Sequence, residues 1–192
     1  MKPRILGQMA MAAALLSAFG IAGAWAGQNA AVPGPAPSSD EALAKQVRHE
    51  IVMYPHYTIW DEIDFQVNHG SVELIGEVNQ PYKKSELEKI VAHVPGVESV
   101  TNQLEVLPLS PMDDRLRLQV ARAIYRDSAL SRYGMGVLPS IHIIVDNGHV
   151  TLTGVVANDF DKQVAGVRAS SVGLSFGPIK NDLRVEKPAK KS

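Results

Sequence analysis

Three groups of residues in this 192-residue chain have chemistry to offer: six histidines, a short acidic run and a row of arginines. A protein metal centre needs ligands that converge, usually His at i, i+4 on a helix or paired with carboxylates. His49, His56, His69, His93, His142 and His149 form no H-x-x-x-H and no HExxH. His142 and His149 share the outward face of one hairpin but stand several residue pairs apart, and the other four fall on different elements. All six are expected to be surface histidines, and no metal or other cofactor is expected. Asp61, Glu62 and Asp64 would do acid–base work only if burial split their proton affinities. Nothing in their surroundings predicts burial, so they read as a solvated loop. With no cysteine, no G-x-S-x-G and no phosphate-cradling glycine loop, the sequence predicts no catalytic residues.

The arginines are more informative. On a helix, Arg115, Gln119, Arg122 and Arg126 fall in one narrow stripe, with Leu116, Val120, Ala123 and Ile124 on the core face. Leu118, Ala121 and Tyr125 form a second apolar strip. The loop that follows brings Arg132, Tyr133, Met135, Val137 and Leu138. Guanidinium groups beside apolar tips suit an anionic lipid surface, with headgroups on the arginines and Tyr133, Met135 and Leu138 inserted. The competing reading packs Leu118 and Tyr125 against the first domain and leaves the arginines merely solvated.

The elements that position these residues come from a repeated decapeptide, VNHGSVELIG at 67–76 and VDNGHVTLTG at 145–154. Each is the tight end of a hairpin. His69-Gly70 and Asn147-Gly148 are two-residue turns, the second a favoured type I′ sequence. Alternation predicts Val67 opposite Val72 and Phe65 opposite Leu74, then Val145 opposite Val150 and Ile143 opposite Leu152. Gly70 and Gly148 supply turn conformations, while Gly76 and Gly154 allow close packing or a bend after the hairpin. A helix precedes each hairpin, with Leu43, Val47 and Ile51 matching Leu116, Val120 and Ile124. Ser38 or Ser39 caps the first, with Glu41 placed for a capping box to Ser38. Ser110-Pro111 opens its counterpart, with Asp113 and Asp114 in the first turn. A second helix follows each hairpin, carrying Leu87, Ile90, Val91 and Val94 in one copy and spanning 160–172 in the other. A third strand closes each copy, VESVTNQLEV at 97–106 and IKNDLRV at 179–185, where Asn102 and Asn181 cap nearby backbone groups.

The fold class is therefore α+β: two tandem domains, each α-β-β-α-β, with a three-stranded mixed sheet packed on two helices. The first domain spans 40–107 and the second 112–186, joined by a short proline-containing linker at 108–111. The second copy has five more residues between its first helix and its turn glycine. VGLSFGPIKN carries one residue more than its first-copy counterpart, which leaves the register of that third strand open.

Residues 1–26 read as a secretory signal: Lys2 and Arg4, an uncharged stretch over 5–23, and Ala24-Trp25-Ala26 as a cleavage site. An uncleaved anchor is the alternative. Residues 27–39 form a flexible leader rich in Ala, Pro and Gly, and 187–192 a basic disordered tail. Cleavage near Ala26 leaves seventeen basic and twenty acidic residues, a net charge of −3, which argues against general nucleic-acid binding. Without a cysteine there is no disulfide framework and no site for lipoprotein acylation. A periplasmic chain with no membrane span in its mature form is expected.

The sequence resembles the BON domain, named for bacterial osmotically induced periplasmic and nodulation proteins. The resemblance rests on Gly70, Val72, Leu74, Gly76, Gly96, Val97, Val100, Asn102, Leu104 and Val106 in the first copy. In the second it rests on Gly148, Val150, Leu152, Gly154, Ile179, Asn181, Leu183 and Val185. It implies an exported envelope protein that binds phospholipid or supports envelope integrity under osmotic stress, and it brings no established catalytic residues. The alternative function is a protein–protein interaction or chaperone-like module for envelope proteins.

Overall fold

Each copy opens with an amphipathic helix that needs a hydrophobic surface to lie on. In this computed structural model, which describes residues 39–136 and 138–186, α1 (Ser39–Met53) buries Leu43, Val47 and Ile51. Its first residue is Ser39, which the leader was expected to include. It stops before Tyr54-Pro55, since the residue preceding proline is disfavoured in the α region. The expected signal sequence, the expected leader up to Ser38 with the cap proposed there, Val137 and the expected tail from residue 187 lie outside the described residues.

β1 (Glu62–Asn68) and β2 (Ser71–Val78) supply that surface. They pair antiparallel in the expected register, Val67 with Val72 and Phe65 with Leu74. His69 and Gly70 hold φ of 48° and 79°, both positive as a type I′ turn requires. At Gly76, φ is +123° and an added Cβ would lie 2.2 Å from the Glu62 carbonyl oxygen. This glycine is fixed by contact across the sheet as well as by conformation. α2 (Pro81–Ala92) then returns the chain to a strand parallel to β2.

That strand is broken, contrary to the expectation of one run over 97–106: β3 (Ser99–Asn102) and β4 (Glu105–Val106) both pair with β2. Asn102 causes the break. Its Oδ1 accepts from the Leu104 amide at 3.1 Å, and its Nδ2 donates to the Lys84 carbonyl of α2 at 2.8 Å. The turn drives Leu104 fully into the core.

The second copy repeats the order: α3 (Pro111–Tyr125), β5 (Ile141–Asp146), β6 (His149–Val156), α4 (Asp159–Ser170), β7 (Lys180–Asn181) and β8 (Arg184–Val185). Asn181 repeats the staple, donating to the Lys162 carbonyl at 2.7 Å. The Phe176 amide bonds the Gly148 carbonyl at 2.9 Å, as the Glu98 amide bonds that of Gly70 at 2.8 Å. One more residue separates this anchor from the asparagine than in the first copy. The extra residue shortens the parallel pairing from four residues to two, while Leu152 still faces Asn181 as Leu74 faces Asn102.

Each copy has its own core, and the joint between them corrects two expectations. The Ile143 amide on the edge of β5 donates to the Ile59 carbonyl at 2.7 Å, and Ile59 and Trp60 pack on the second core. The first domain's loop thereby covers the outward side of β5. Hence His142 is buried rather than a surface histidine, its Nδ1 2.5 Å from the Asp61 carbonyl oxygen. Burial pushes its pKa down, against the pull of that carbonyl. Asp61 is likewise no solvated loop residue. Fully buried, its carboxylate takes Lys83 Nζ at 2.6 Å, the Thr58 amide and hydroxyl, and the Asn79 amide.

Candidate functional site

The arginine row sits on a firmly seated helix. Ser110 Oγ accepts from the Asp113 amide at 3.3 Å to cap α3. Asp113, buried, accepts from the Gly148 amide at 2.9 Å. Arg117, also buried, donates to the Val145 carbonyl at 2.7 Å and pairs with Asp114. The start of α3 is thus fastened to the hairpin turn, and Arg117 is a structural arginine that helical periodicity alone does not single out.

With Leu116, Val120 and Ile124 buried, Arg115, Arg122 and Arg126 project outward. All three are exposed, and none has an ion pair among the described residues. Leu118 is exposed on the same face, between Arg115 and Arg122. Tyr125 is not part of a second strip. Its hydroxyl donates to the Ile141 carbonyl, it packs on its own domain's core, and burial pushes its pKa up. Neither competing reading survives whole: Leu118 is open to solvent and Tyr125 belongs to the second domain's interior.

A fourth guanidinium joins the row. Arg168 of α4 donates to Asp127 Oδ2 at 2.6 Å, and Asp127 also accepts from the Ala129 amide at 2.8 Å. These donors, the Ala129 amide foremost, hold the Asp127 carboxyl below the usual range. Arg122, Arg126, Arg168, Ser128 and Ser171 line an open groove of about 450 Å³. Only the crossing of α4 over the end of α3 brings Arg168 there, so spacing along the chain gave no sign of it.

The loop residues separate. Arg132 and Tyr133 turn inward to Asp161, near the start of α4. Arg132 forms an ion pair with it, and the Tyr133 hydroxyl donates to the same carboxylate while accepting from the Ala157 amide. The Tyr133 hydroxyl is thus used in closing the domain, which turns Tyr133 away from the inserted tip expected of it, while Arg132 stays more than half exposed beside its ion pair. Leu138 lines the cleft between the domains with Tyr57, Phe65 and His142, so it too is no tip. Met135 alone stands out, 84% exposed. Gly70 and Gly148 hold the positive φ of their turns, and Gly76 and Gly154, expected to allow close packing or a bend, also have positive φ.

Charge separates the two domains. Residues 39–108 carry five basic and twelve acidic side chains, a net of −7; residues 111–186 carry nine and eight, a net of +1. Where the second sheet meets the first, Glu62, Glu77 and Glu105 stand opposite one another across neighbouring strands. Burial and the neighbouring carboxylates raise the pKa of Glu62 and Glu77, against Arg184 near the former and Lys180 near the latter. Among the described residues, no three His, Cys, Asp or Glu side chains come together to hold a metal, and no helix is long and apolar enough to cross a membrane.

Compared with known families, the chain matches the BON domain twice, over residues 39–108 and 113–187. No curated protein matches it. Two solved structures similar to it are of CdsD, a structural protein of the type III secretion system of Chlamydia trachomatis. One is 19% identical, covering 76% of this chain and 61% of that one, with a TM-score of 0.29. The other, the CdsD C-terminal domain, is 20% identical over 75% and 64%, with a TM-score of 0.28. The chain spans less than two thirds of either.

Proposed function

Because the chain belongs to the BON domain family, which is associated with envelope proteins and membrane binding, we propose that it is an exported, non-catalytic protein that binds anionic phospholipid through its second domain. It acts in the periplasm, where such binding supports envelope integrity under osmotic stress. One observation carries the reading: Arg115, Arg122 and Arg126 stand exposed and unpaired among the described residues on one face of α3, joined by Arg168. Each cation near an anionic surface contributes about 1 kcal/mol, screened by salt. The −7 domain turns away from such a surface, which orients the molecule.

Flotation of residues 27–192, which retain both cores, with phosphatidylglycerol and phosphatidylcholine vesicles tests this. Selective flotation with the anionic vesicles, weakened by salt, supports it. Equal flotation with both, or none with either, contradicts it, and capture of envelope proteins without lipid dependence would favour the interaction-module reading.

A further inference from the structure

The two copies differ at one exposed position in a way the fold does not require. Glu98 and Phe176 are equivalent: each donates its amide to the carbonyl of its hairpin glycine, Gly70 or Gly148. Each also lays its side chain over that glycine. The first copy places a carboxylate there. The second places a phenyl ring that remains 65% exposed. The same segment exposes Leu174 at 40%, and Leu174 lines a groove with Met112, 49% exposed, and with Arg115.

This segment runs beside the arginine row. Ser171 shares the groove of Arg122, Arg126 and Arg168, and Leu174 shares the next one with Arg115. Leu174 and Met112 therefore line one groove with the unpaired Arg115, and Phe176 follows two residues after Leu174. Exposed apolar side chains beside unpaired cations mark a surface suited to an interface.

We propose that Phe176, with Leu174 and Met112, is the part of the second domain that enters the interfacial region of an anionic bilayer while the arginines hold the headgroups. The proposal rests on the phospholipid reading and replaces Tyr133 and Leu138 as the inserted tips. Amphipathic surfaces of this kind bury their apolar side about 5–10 Å into the headgroup boundary.

The test is Phe176→Trp in residues 27–192, with the parent protein, which holds Trp60, as the baseline. A blue-shifted emission on adding phosphatidylglycerol vesicles, quenched by lipids brominated high on the acyl chain, is expected. Phe176→Glu, which installs the first copy's residue, should weaken flotation about tenfold or more with its thermal midpoint unchanged. Flotation of the tryptophan variant without shift or quenching would overturn the insertion and leave the arginine reading standing. Failure of the parent protein to float at all would overturn both.

Discussion

Lys83 and Asp161 occupy the same place in the two copies, the third residue of α2 and of α4, and carry opposite charges. Both are buried. Lys83 pairs with Asp61 at 2.6 Å, and Asp161 with Arg132. Each pair ties the segment before the hairpin to the helix after it, so one mechanical task is done twice with the signs exchanged.

Truncating one partner of a buried pair strands the other charge, at a cost of about 3–5 kcal/mol. Lys83→Met is therefore expected to lower the thermal midpoint sharply. Arg132→Ala, whose side chain is more than half exposed, lowers it less and leaves vesicle binding by the folded fraction unchanged. Thermal melts of the two variants, with flotation of the second, check this. Loss of binding in folded Arg132→Ala would return that residue to the lipid surface.

The glycines sort by what surrounds them. At Gly154, φ is +106° and an added Cβ would meet the Ser140 carbonyl oxygen at 2.1 Å. At Gly173, φ is +69° and nothing lies within 4 Å. Gly173→Ala is expected to cost only the left-handed penalty, about 1–2 kcal/mol, while Gly154→Ala and Gly76→Ala prevent folding. Circular dichroism melts of the three variants distinguish these outcomes, and a folded Gly154→Ala protein would contradict the contact.

The charged faces between the domains predict opposite responses to acid. Glu62 and Glu77 have raised pKa values in the fold, so their contribution is fully present below the ordinary carboxylate range and is lost as pH rises through the raised value. Glu77→Gln is therefore expected to raise the thermal midpoint at pH 7, with the gain shrinking toward pH 4. A lower midpoint at pH 7 would mean that attraction to Lys180 outweighs burial and Glu105.

His142 has the reverse sign. Its pKa is lowered by burial, so the unfolded chain binds the proton first, and stability is lost as pH falls below about 6.5. Between pH 7.5 and pH 5.5, the parent protein is expected to lose more stability in urea melts than His142→Gln. Equal losses would show that His142 titrates as an exposed residue.

Alternation and turn chemistry made both hairpins legible, down to Phe65 against Leu74 and Ile143 against Leu152, because one face of each sheet is buried and register follows. The break at Asn102 and Asn181 was only half legible: a capping side chain was foreseeable, the interruption it causes was not. Burial of Asp61 and His142 lay beyond a sequence reading: His142 is covered by the other domain's loop, and Asp61 is enclosed by Lys83, Thr58 and Asn79 from separate parts of its own domain. For the site, helical periodicity found Arg115, Arg122 and Arg126. Which way Arg132, Tyr133 and Leu138 face was not legible, because loop residues carry no periodicity. Phe176 is not legible in the sequence, because its equivalence to Glu98 shows only in the hydrogen bond that each makes to its hairpin glycine.

The most direct test of the account is flotation of Arg115→Glu/Arg122→Glu/Arg126→Glu beside the parent protein, with phosphatidylglycerol vesicles at low salt. The three side chains have no ion pair among the described residues, so the thermal midpoint is expected to stay within a few degrees. Loss of flotation with that midpoint preserved is the predicted result. Undiminished flotation of the folded triple variant would contradict the assignment of the arginine face to the membrane.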